Sequence, residues 1–197
     1  PLRAAIPLLI RENLALSAWT TCLLATLAIS LGIWQFTSTE PPEIFDIPSI
    51  IEGRIKVNSP KVAFGVETLI LPGGELDLTS VQQVMMKKNA AIIVLGKFRA
   101  SGTPKIPLVF SPEVHGASWR GVHAVGNKAD IWLEHSVLSK GVGIETKLLS
   151  YPARNAIEKV EHELFTDSRG GLLSATHANL SCKNVVFERG HAKGGGA

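Results

Sequence analysis

The sequence predicts a mainly β protein: a single N-terminal transmembrane α-helix followed by a parallel β-helix solenoid. Three observations carry this. The first is a long uncharged apolar stretch near the N-terminus. The second is a series of short β-branched runs separated by Gly, Pro, Ser and Asn corners over the remainder, with none of the roughly 3.6-residue apolar period of a helix. The third is an internal repeat of short strands, the mark of a solenoid.

In chain order, residues 1–12 read as a short cytoplasmic tail bearing Arg3 and Arg11. Asn13 to Thr39 contains no charged residue, and Leu14 to Phe36 is long enough to cross about 30 Å of hydrocarbon as a helix. A cleaved signal peptide would have an apolar core of about 7–15 residues and a small-residue site behind it; Gln35-Phe36-Thr37 does not provide one. Trp34 suits the headgroup region, and Ala25, Ala28 and Gly32 share one helix face that would let a neighbouring membrane helix approach closely. Basic residues before the span and Glu40, Glu43 and Asp46 after it put the N-terminus in the cytoplasm and the large domain outside. Cys22 within the span and Cys182 far beyond it are then too distant to bond. Residues 40–52, with Pro41, Pro42 and Pro48, read as a stiff connector.

Residues 53–197 read as the solenoid. Ile92-Ile93-Val94, Leu108-Val109-Phe110 and Ile131-Trp132-Leu133 are characteristic strands. Segments 120–141, 159–171 and 170–190 align so that Leu133, Val160 and Cys182 correspond, then Glu134, Glu161 and Lys183, then His135, His162 and Asn184. Val137-Leu138, Leu164-Phe165 and Val186-Phe187 follow in the same register, and Val109-Phe110 takes that slot upstream. A repeat of about 20–28 residues this rich in Gly and β-branched residues excludes helical solenoids, and no Leu-x-x-Leu-x-Leu spacing is present. Asn155 to Phe165 carries some helical spacing at Ile157, Val160 and Leu164; the repeat assigns Val160 to an inward strand position instead. The final GHAKGGGA matches the start of a further coil, so the domain reads as incomplete at its C-terminal end, its last coil covered by lost sequence or by a partner.

LILPGGELDL (69–78), the Gly96-to-Phe110 segment, SWRGVHAVG (118–126) and ADIWLEHSVLSKG (129–141) together resemble right-handed parallel β-helix proteins of the pectin-lyase-like group, many of them bacterial and extracellular. The resemblance covers residues 53–197. It implies the fold and, with the apolar span, a bacterial cytoplasmic (inner) membrane protein with a periplasmic domain. It is silent on activity, because function resides in sites and not in folds.

Enzymes of that group use clustered carboxylates, often with Ca²⁺. Asp77, Asp130 and Asp167 are isolated, and no metal or cofactor is expected. Glu134 and Glu161, stacked in adjacent coils, would be the one acid/base dyad available; two solvated carboxylates balanced by Lys183 explain the same spacing. His135, His162 and Asn184 read as a polar corner ladder and not a metal site. Trp132, between inward Ile131 and Leu133, points outward as a contact residue for a partner or a sugar face, and Trp119 reads as core. Nucleophile-elbow, P-loop, dinucleotide and Cys-x-x-Cys motifs are absent, and the scattered charges, net +3, exclude nucleic acid. The expected function is therefore a membrane-anchored, non-catalytic accessory or scaffold subunit. Its partners would be the lipid bilayer and other integral membrane proteins; the alternative is a tethered protein that binds or modifies cell-surface polysaccharide.

Overall fold

The computed structural model describes residues 43–161 and 170–191. Within them, Gly, Pro, Asn and Ser corners interrupt the apolar runs up to residue 129, and the backbone satisfies its hydrogen bonds between successive coils. The first coil is β1 (Phe45–Ile47), β2 (Ile50–Ile51) and β3 (Arg54–Lys56), and the second is β4 (Lys61–Phe64), β5 (Glu67–Ile70) and β6 (Glu75–Asp77). The third is β7 (Gln83–Met86), β8 (Ala91–Val94) and β9 (Lys97–Ser101). Then come β10 (Leu108–Pro112), β11 (Gly121–Val125), β12 (Asp130–Ser139), β13 (Leu173–Thr176) and β14 (Asn179–Glu188).

Each of these strands pairs in parallel with its equivalent one coil away. β13, β11, β8, β5 and β2 form one sheet; the other strands form a nine-stranded curled sheet. β12 joins two rows of that larger sheet, because Asp130–Glu134 pairs with β9 and Ser136–Leu138 with β10. The result is a solenoid-like stack of coils, compatible with a parallel β-helix.

Corners recur in register. β12 bends at His135 (φ 46°) and its neighbour β14 at Asn184 (φ 54°). One corner later, Lys140 (φ 61°) and Arg189 (φ 55°) repeat the left-handed turn. Between β9's coil and the one before it, a Cβ on Gly96 would overlap the carbonyl oxygens of Gly74 and Leu71, so only glycine lets the corners stack this closely.

Inward rows form the main core: Val62, Val84, Phe110 and Leu138 align on one face, and Leu76, Phe98 and Ile131 on another. Phe98, Phe110 and Trp119 meet at centroid separations of 6.3 Å, the first pair edge-on and the second stacked. The Trp119 Nε1–H donates to the Ser139 carbonyl at 2.7 Å, so the indole is fully buried with its polar edge satisfied.

A second apolar cluster lies on the outer side of the five-stranded sheet. Leu69, Ile93, Leu95 and Val125 are covered there by Ile144, Leu149, Ala153 and Ile157. The cover is a 3-10 turn (Thr146–Leu148) and a helix, α1 (Tyr151–Glu161). Because both faces of the sheet are covered, β8 reads Ala-Ile-Ile-Val with every residue buried, instead of alternating.

Three expectations are corrected. Residues 155–161 are helical, not a strand: Ser150 accepts the Ala153 N–H at its Oγ (3.5 Å), Pro152 sits in the first turn, and Ala153 and Ile157 present one apolar face. Val160 is therefore not a coil position, and the step from Leu133 to its register partner Cys182 is one coil with an insertion, not two coils. Finally, among the described residues no helix is long and apolar enough to cross a membrane, which overturns the transmembrane fold class and the inner-membrane location built on it. The stretch 13–39, with Cys22, Ala25, Ala28, Gly32 and Trp34, lies outside the described residues, as do His162 and residues 192–197. β1 and β2 both fall within the stretch 40–52 read as a connector.

Candidate functional site

The alternation of β12 that buries Ile131 and Leu133 turns Asp130, Trp132 and Glu134 outward. In register across coils, one outward column is Arg54, Glu75, Lys97, Asp130 and Asn179, and the next is Lys56, Asp77, Arg99, Trp132 and Ser181. Signs alternate along both, so the columns are laced diagonally. Arg54 lies 3.6 Å from Glu75 and 3.9 Å from Asp77, and Arg99 lies 3.5 Å from Glu75. Trp132 is half-buried between Arg99 and Ser181, as its place in the strand requires.

Glu134 pairs in register with Lys183, whose Nζ is 2.9 Å from the carboxylate; His135 Nε2 is at 3.8 Å. The Lys183 hydrogen bond, opposed by partial burial, holds the Glu134 carboxyl below its ordinary range. A glycosidase acid needs the opposite shift. The other half of the expected dyad is elsewhere: Glu161 is the last residue of α1, outside the strand register of Glu134. His135 and Asn184 occupy a shared corner and turn the backbone. No group of three or more His, Cys, Asp or Glu side chains that could hold a metal occurs among the described residues.

Two features escaped sequence reasoning. One is His123, on the outer side of β11 and 1% exposed. Its Nδ1 is 2.6 Å from the Ser174 hydroxyl, and its Nε2 bonds the Arg120 carbonyl. Desolvation lowers its pKa to about 4, against the Arg120 hydrogen bond, so the ring is neutral near pH 7. A neutral ring has one donor and one acceptor: Nε2–H donates to the carbonyl and Nδ1 accepts from Ser174.

The other is a groove of about 570 Å³ where the insertion leans over the edge of the five-stranded sheet. Ile50, Val66, Glu67 and Leu69 form its floor and near wall, Leu148, Ser150 and Pro152 its far wall, and Lys88, Asn89 and Arg120 one end. Glu67 fixes the wall by accepting the Ser150 N–H at 3.0 Å and the Ser150 hydroxyl. Arg120 donates from Nη1 to the Leu148 carbonyl at 2.9 Å. The available signal was Ser150-Tyr151-Pro152 followed by Ala153 and Ile157 at helical spacing.

Comparisons with protein-family models, with curated proteins and with solved structures give no match for this chain.

Proposed function

We propose that the chain is a non-catalytic scaffold or accessory protein, a right-handed parallel β-helix of the pectin-lyase-like kind that works by presenting its surfaces to a partner. The observation that carries this reading is the Glu134–Lys183 pair. The best-placed outward carboxylate is engaged across the coils and shifted away from acid catalysis. Outward Glu75 and Asp77 are likewise engaged by arginines. The test is chemical cross-linking of the tagged protein in its source cells. One partner in fixed stoichiometry supports the reading; a clean monomer under mild extraction overturns it.

A second reading, binding of cell-surface polysaccharide, is favoured by Trp132, a half-exposed ring on a flat polar face. Retarded migration of the protein in glycan-containing gels, lost in Trp132→Ala, would support it. Identical migration of both proteins in every glycan would end it.

A further inference from the structure

We propose that the groove beside the insertion receives a short extended segment of a partner protein, apolar at one end and acidic at the other. The inference rests on the scaffold reading and specifies the partner's chemistry.

The groove crosses four successive coils. Ile50 belongs to the first, Val66 to the second, Lys88 to the third and Arg120 to the fourth. Coils paired as strands are about 4.8 Å apart, so the floor is about 14 Å long, the reach of roughly four extended residues. Chemistry changes along it. Ile50 (45% exposed) and Val66 (63%) supply apolar surface at the low-numbered end, facing Leu148 (52%) on the insertion. Lys88 and Arg120 supply positive charge at the high-numbered end. Lys88 and Arg120 outnumber the groove's carboxylate, Glu67, which Ser150 holds at the wall, so the lining carries a net positive charge.

Three large apolar side chains, exposed from separate segments yet converging on one concavity, mark a protein-interaction surface. The directional change from apolar to basic selects a chain of matching polarity, with apolar side chains over Ile50 and Val66 and carboxylates near Lys88 and Arg120. A bilayer surface, being flat on this scale, would not reach the floor between sheet and helix.

The experiment uses the full chain and a fluorescein-labelled hexapeptide, Leu-Val-Leu-Glu-Asp-Glu, followed by anisotropy. Binding is expected, and it weakens as salt rises from about 0.05 to 0.5 M. It is also expected to fall about fivefold or more in both Val66→Asp and Lys88→Glu. Both side chains are exposed, so unchanged circular dichroism and melting would certify the variants as folded. Lys97→Glu, on the nine-stranded sheet, should bind as the parent does. Equal binding of the hexapeptide carrying lysine at its three acidic positions would overturn the proposal. So would indifference to both groove variants, or capture of the protein by phosphatidylglycerol vesicles but not by the peptide. If a cross-linked cellular partner persists in Val66→Asp and Lys88→Glu, the groove assignment fails while the scaffold reading stands.

Discussion

Lys183 lies one coil from Glu134 and is hydrogen-bonded to it, Nζ to Oε1, at 2.9 Å. This cross-coil bond is the largest cause of the depressed Glu134 pKa. In Lys183→Met the Glu134 carboxyl should titrate nearer its ordinary value, read by NMR on the side-chain carboxyl carbon. An unmoved titration would show that Lys183 is not the cause. Glu134→Gln should leave all measured glycan turnover unchanged.

Folding stability should decline in mild acid because of His123. Its pKa is about 4 in the folded chain and 6.5 when unconstrained, so the unfolded chain binds a proton first as pH falls. The stability is complete above about pH 6.5 and is lost progressively as pH drops toward 4, by roughly 3 kcal/mol in all. Urea midpoints at several pH values should fall over that window, and the slope should flatten in His123→Gln. An equal slope in the variant would assign the acid sensitivity to other groups.

Gly96→Ala should cost about 2 kcal/mol or more, because the added Cβ meets two backbone oxygens that cannot swing aside. Gly53→Ala, where nothing lies within 4 Å, should shift the urea midpoint little. Similar midpoints for the two variants would refute the close-stacking account.

Ile157→Ala truncates a fully buried side chain of the helix cover and should cost about 2–4 kcal/mol of local stability. Amide exchange should accelerate in Tyr151–Glu161 and stay slow in β7. Uniform acceleration in both would show that the cover and the coils open as one unit.

The period of two along each strand made most of the coil register legible. Val109 pairs with Val137 as its spacing indicates, while Leu133 with Cys182 and Val137 with Val186 share the expected register but lie one coil apart instead of two. The same alternation placed Trp132 outward and left Trp119 for the core. The helix was misread because Val160 fits both a strand repeat and a helical face, and only Leu69, Ile93 and Val125 beneath it decide between them. Those residues are remote in sequence, and the groove is harder still to foresee, since each of four coils contributes separately to it. His123 gives no signal along the chain; its burial depends on packing and its hydroxyl partner lies one coil away on β13.

The parallel pairing of every coil also dictates how the molecule bears load. Hydrogen bonds between coils run along the stacking axis, so tension applied along that axis opens each strand ladder by itself, one rung group after another. Tension applied along the strands must shear a whole ladder at once. The chain should therefore lengthen in a low-force sawtooth when pulled end to end and resist far more strongly when pulled crosswise. The long ladder between β12 and β14 would be its toughest clasp.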